Sequence, residues 1–166
     1  MKNINIIEQS HLVREMFWPN DVFPVDPVTI ANKMGIKVLR SDLPNTVSGA
    51  LMKTMGTDPV ILIHDTDSNN RKRFTIAHEL GHYVYRTQSD KNDSEYEYVD
   101  FRDHTSSLGN DSEEIVANNF AANLLMPEEK IRELLHNKQS VISMAYTFGV
   151  STESLKIRLR ALGLGS

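Results

Sequence analysis

Two histidines four residues apart with a carboxylate between them, in His78-Glu79-Leu80-Gly81-His82, are the residues best arranged to do chemistry. In a helix, positions four apart share a face, so both imidazoles can direct a ring nitrogen at one metal ion. Glu79 then stands beside that ion without ligating it, placed to take a proton from a water that the metal activates. The chemistry so encoded is metal-assisted hydrolysis, with His78 and His82 as ligands and Glu79 as general base. An exposed helix with two ordinary histidines would carry the same pattern, so the rest of the sequence must supply what a metal centre still needs.

A catalytic zinc takes three protein ligands and keeps a fourth position open. The third is expected from a second helical stretch, Asp111 to Pro127, whose first turn carries Glu113 and Glu114. Glu114 is preferred because Asn118 lies one turn further along its face, where the side-chain carbonyl can accept a hydrogen bond from the far nitrogen of a ligating histidine. Glu113 competes for the ligand role. Asp111 followed three residues later by Glu114 also reads as a helix N-cap with its reciprocal partner.

The remaining elements must hold these two helices together. Ile6, Ser10, Val13 and Phe17 recur at helical spacing, which predicts an amphipathic helix ending before Pro19, with Phe17 and Trp18 in the core or over the site. Asp26-Pro27 caps and opens a short helix over Val28–Met34 that Gly35 closes. Three extended runs follow, at Ile36–Leu39, Val47–Met52 and Val60–His64, and predict a small sheet. The third is nearly all apolar and is expected to be the best-buried strand, with His64 at the surface. Arg71-Lys72-Arg73 opens the metal helix, where cations oppose its dipole, and is expected to be solvated.

Within that helix Ala77, Leu80, Gly81 and Val84 form the core stripe. Gly81 costs about 1 kcal/mol relative to alanine in a helix, which predicts close approach of another backbone. Arg86 to Asn110 is polar and structure-poor; Tyr96, Tyr98, Phe101 and His104 within it are read as parts of a variable loop. Further on, Ile131, Leu134 and Leu135 mark a helix. Val141–Phe148, the Gly149 turn and a helix capped by Ser151 resemble a helix-turn-helix. Lys156, Arg158 and Arg160 could touch phosphate there, although a hairpin docked on the body is the preferred reading.

At 166 residues with 40% hydrophobic and 24% charged residues, the chain is of single-domain size with a normal core. It has no cysteine, so any zinc must be held by nitrogen and oxygen, and disulfides and thiol nucleophiles are excluded. A net charge of −4 argues against broad nucleic-acid affinity. With no apolar run of membrane length and no leader pattern in Met1–Ser10, a cytoplasmic protein is expected.

Arg-Phe-Thr-Ile-Ala-His-Glu-Leu-Gly-His at 73–82, followed by Glu-Ile-Val-Ala-Asn-Asn-Phe-Ala-Ala-Asn-Leu-Leu-Met-Pro at 114–127, resembles the ImmA/IrrE family of metallo-endopeptidases. The resemblance implies an α+β, zincin-like fold: a small sheet packed on two site-bearing helices, with a helix-turn-helix-like C-terminus. It implies His78, His82 and Glu114 as zinc ligands and Glu79 as general base. It also implies a substrate, a DNA-bound helix-turn-helix repressor whose cleavage switches on transcription, and an edge strand at Gly49–Lys53 that pairs with extended peptide. Residues 1–137 are then the metallopeptidase domain and 138–166 a hairpin packed on it. The rival expectations are a toxin–antitoxin-type or anti-repressor protein that acts by binding alone, and a DNA-binding module using the hairpin.

Overall fold

Side chains that compete for backbone amides start the first two helices. In the computed structural model, which describes residues 5–19, 21–89, 98–103 and 112–165, the Asn5 side chain accepts from the Glu8 amide and opens α1 (Ile6–Phe17). The helix buries Ile6, Ser10 and Val13, the predicted face. Asp26 accepts from the Val28 and Thr29 amides and opens α2 (Pro27–Lys33), with proline where its missing N–H costs nothing. Gly35 follows at φ 79°, a left-handed turn that glycine adopts without strain.

The sheet has four strands, β1 (Lys37–Ser41), β2 (Val47–Lys53), β3 (Val60–His64) and β4 (Tyr98–Asp103), in the order β1-β3-β2-β4. β1 runs parallel to β3, and β2 is antiparallel to both β3 and β4. Three expectations are corrected here. Gly49–Lys53 is not an edge, because β2 is paired on both sides, and among the described residues the edges are β1 and β4. The strand that covers it, β4, comes from the polar stretch read as structure-poor. The best-buried strand is β2 rather than β3: β2 is buried at every position but Met52, whereas Val60 and Leu62 of β3 are only half-buried. Both strands are interior, but one helix lies more over β2 than over β3, and that cover outweighs the uniformity of the β3 sequence.

That helix is α3 (Asn69–Ser89), which lies against β2 and carries the histidine pair. It packs most extensively on α4 (Ser112–Leu125). Gly81 is what lets them approach: a Cβ there would lie 2.9 Å from the Ala117 Cα and 3.0 Å from its carbonyl oxygen. The close backbone approach predicted from Gly81 is therefore present. Ala77, Leu80 and Val84 join Phe120, Ala121 and Leu124 in one apolar cluster.

Three more helices complete the chain, α5 (Glu128–His136), α6 (Val141–Phe148) and α7 (Thr152–Ala161). Ser140 and Ser151 cap α6 and α7, and Gly149 makes the left-handed turn between them at φ 62°. Met144, Phe148, Val150, Leu155 and Leu159 enter the same cluster as Leu80 and Phe120. Arg158 is buried and donates to the Met126 carbonyl at 3.3 Å and to Asn123 Oδ1 at 2.7 Å. It is thus a packing residue rather than a phosphate contact.

Arg73 is not simply solvated either. Its Nε donates to the Gly149 carbonyl at 3.1 Å and its Nη2 to the Val25 carbonyl, tying the start of α3 to the hairpin and to the segment before α2. His64, expected at the surface, is 5% exposed, with Nδ1 3.2 Å from the Thr66 amide. The turn after β3 folds back to bring the Thr66 hydroxyl within 3.1 Å of the same nitrogen. Tyr96, His104 and the Asp111 cap lie outside the described residues.

Candidate metal centre and active site

The two histidines of α3 face α4 because the helix must bury Ala77, Leu80 and Val84, and a stripe at that spacing turns positions 78 and 82 toward the first turn of α4. Both rings are buried, His78 at 0% and His82 at 4% exposure. Their Nε2 atoms stand 3.0 Å apart. Glu114 completes the group, with Oε1 3.0 Å from His82 Nε2 and Oε2 3.3 Å from His78 Nε2. Among the described residues these three are the histidine and acid side chains whose ligand atoms, all within 4.8 Å of one another, could hold a metal.

The outward nitrogens are held as well. His78 Nδ1–H donates to Asn118 Oδ1 at 3.0 Å, the bond expected from the shared face of Glu114 and Asn118. His82 Nδ1–H donates to Glu113 Oε1, also at 3.0 Å, and Arg86 Nε donates to the same oxygen at 2.7 Å. With each Nδ1 engaged as donor, each neutral ring keeps its Nε2 lone pair directed inward. Glu113 therefore sits on the outer nitrogen of His82, and Glu114 is the acid that faces the inner pair. Arg86 was missed by sequence reasoning. Its signal is its position four residues after His82, on the same helix face.

Two imidazole lone pairs and a carboxylate facing one another within van der Waals distance repel unless something positive lies among them. A nitrogen and oxygen donor set of this kind suits Zn²⁺, and the residues fit such an ion. The electrostatics point the same way. Burial works against charge on His82, but hydrogen bonds to Glu113 and Glu114 outweigh it and push the ring up to about 9. His78 and His82 together hold the Glu114 carboxyl far below the usual carboxylate range against the opposing effect of burial. Glu113 is lowered too, first by His82 and then, against burial, by Arg86. The site attracts positive charge.

Glu79 is 1% exposed, and its charge contributes to the raised His82 value. One turn before it on α3 is Thr75, also fully buried, and both lie close to Gly49 of β2. The four side chains His78, Glu79, His82 and Glu114 thus occupy the place where α3, α4 and the sheet meet.

A family model described as the IrrE N-terminal-like domain, Peptidase_M78, matches residues 31–160. No curated protein matches the chain. A solved structure titled Mycobacterium tuberculosis transcriptional regulator shares the fold, with a TM-score of 0.60 at 16% identity over 93% of this chain. This chain spans 46% of that regulator's length.

Proposed function

The chain belongs to the IrrE N-terminal-like domain family, Peptidase_M78, and from that premise we propose that it is a zinc-dependent endopeptidase that cuts a helix-turn-helix transcriptional repressor and so switches on gene expression. The observation that carries this reading is the convergence of both Nε2 atoms and the Glu114 carboxylate on one point beside a buried Glu79. The structural likeness to a protein titled a transcriptional regulator supports the regulatory setting.

His78, His82 and Glu114 would hold the zinc. Bound there, it would supply a Lewis acid for the scissile carbonyl and lower the pKa of water. Asn118 and Glu113 keep the two rings in one tautomer and orientation. Glu114 would contribute one negative charge against the two positive charges of the zinc, which would leave the centre net positive and favourable to an oxyanion. Glu79 takes the proton of the attacking water and returns it to the leaving amine. Residues 138–166 are read as part of the same body as 1–137, since Arg73 and Arg158 bridge the two in opposite directions.

Co-expression with a helix-turn-helix repressor, followed by mass analysis of its fragments, tests the activity. Glu79→Gln keeps the size of the side chain but cannot accept the proton. It is expected to retain zinc, fold and partner binding while losing cleavage by at least about 10²-fold. If Glu79→Gln derepresses a reporter as well as the parent, and neither yields repressor fragments, the protein acts by contact alone.

A further inference from the structure

We propose that Gly49 is a positioning residue for Glu79: the missing side chain on β2 sets how closely the strand lies under α3 and thereby where the Glu79 carboxylate stands. The proposal rests on the reading of Glu79 as the base. Gly49 sits inside the sheet, opposite Ile63 of β3 and Arg102 of β4, beside an irregularity in register between Val47 and Gly49. Its φ is not among the positive values in the chain, so the position does not need glycine for its backbone conformation. What it needs is space.

A Cβ at Gly49 would lie 2.4 Å from Thr75 Cγ2, 3.0 Å from the Leu62 carbonyl oxygen and 3.7 Å from Glu79 Oε1. The first distance is far below any carbon–carbon contact. Thr75 has little room to move aside, because it is fully buried and branching at Cβ leaves it only two favoured χ1 rotamers in a helix. Leu62 offers backbone, held in the β2–β3 ladder. A methyl group at position 49 is therefore caught between two neighbours, and relief requires the strand and helix to separate. Thr75 is four residues before Glu79 on the same face of α3, so separation at Thr75 carries Glu79 with it. The methyl would also touch Glu79 Oε1 directly. A displacement of about 1 Å at a reacting group costs on the order of 10²-fold in rate, so a shift of α3 driven by the Thr75 clash is large enough to matter.

The test uses protein loaded with Co²⁺, whose visible absorption follows the ionisation of the metal centre with pH, and compares Gly49→Ala, Thr75→Ser, Gly49→Ala/Thr75→Ser and Glu79→Gln with the parent. Gly49→Ala is expected to bind one Co²⁺ per chain and to shift the titration midpoint in the direction that Glu79→Gln shifts it. Thr75→Ser deletes the clashing Cγ2, so the double variant is expected to return to the parent's midpoint, while Thr75→Ser alone stays there. A parental midpoint in Gly49→Ala, with Glu79→Gln displaced, overturns the positioning role and leaves the base intact. An unmoved midpoint in Glu79→Gln itself removes the base and the proposal together. If Gly49→Ala fails to fold, the double variant decides: one that also fails, or folds with a displaced midpoint, overturns the proposal.

Discussion

Asn118 and Glu113 determine what the two histidines can do, because a ring whose Nδ1 donates outward has only its Nε2 lone pair to offer inward. A proton and a metal then compete for one place. With His82 pushed up to about 9, the protein without metal carries that proton at pH 7, and a Zn²⁺ ion bound there would have to expel it. Calorimetric titration in buffers of different ionisation enthalpy should show about one proton released per zinc. Apparent affinity should rise with pH and level off above about 9, where the ring is already neutral. Zero proton release would mean that His82 does not take part. Glu113→Gln weakens a partner of the ligand, for which about a 10–100-fold loss of Zn²⁺ affinity is expected. Glu114→Gln removes negative charge from the centre itself and should cost more; the reverse order in a competition assay would exchange their roles. That His78 and His82 share one face of α3, and Glu114 and Asn118 one face of α4, was legible because spacing within a helix is local information. Which acid meets which ring nitrogen was legible only on the α4 side, from Asn118, since the outer contact of His82 depends on how two helices cross.

At the scale of elements, the distance between α3 and α4 is set by one residue without a side chain. Gly81→Ala has two opposed effects. Helix propensity favours alanine by about 1 kcal/mol, whereas overpacking against the Ala117 backbone and Phe120 Cβ costs about 1–3 kcal/mol. Because the nearest atoms belong to backbone, the clash should win. The variant is expected to melt at lower temperature and to bind Zn²⁺ more weakly than the parent, as Glu114 is carried away from the histidines. A variant that melts higher and binds equally would show that the helices tolerate wider spacing. The same pair of elements explains what was read correctly and what was not. Gly81 announced close approach because its propensity cost needed a reason. Nothing comparable marked Tyr98–Asp103 as the partner of β2, since strand pairing depends on distant residues and that stretch is too polar to signal a buried run.

For the whole molecule, the C-terminal hairpin shares one apolar cluster with α3 and α4. Arg158 was a plausible phosphate contact while only its charge was visible. Its burial and its bonds to Asn123 and Met126 place it under α4 instead. Arg158→Met should therefore destabilise the fold by about 1–3 kcal/mol in urea titrations, because two buried acceptors lose their donor. Lys156→Ala, at an exposed position, should stay within about 0.5 kcal/mol of the parent. Equal effects of the two would contradict the packing role of Arg158. Among the described residues, no helix is long and apolar enough to cross a membrane.

The bonds from Arg73 to Gly149 and from Arg158 to Met126 also impose an order in time. A chain is made from its N-terminus, so the histidine helix and the turn after α4 leave the ribosome before the hairpin exists. Until then Arg73 lacks the carbonyl of the Gly149 turn, the Met126 carbonyl lacks its donor, and the socket for Phe148 is open to water. The hairpin follows both site-bearing helices out of the ribosome and closes the core around the histidine helix, so the arrangement of His78, Glu79 and His82 matures only after that hairpin has emerged.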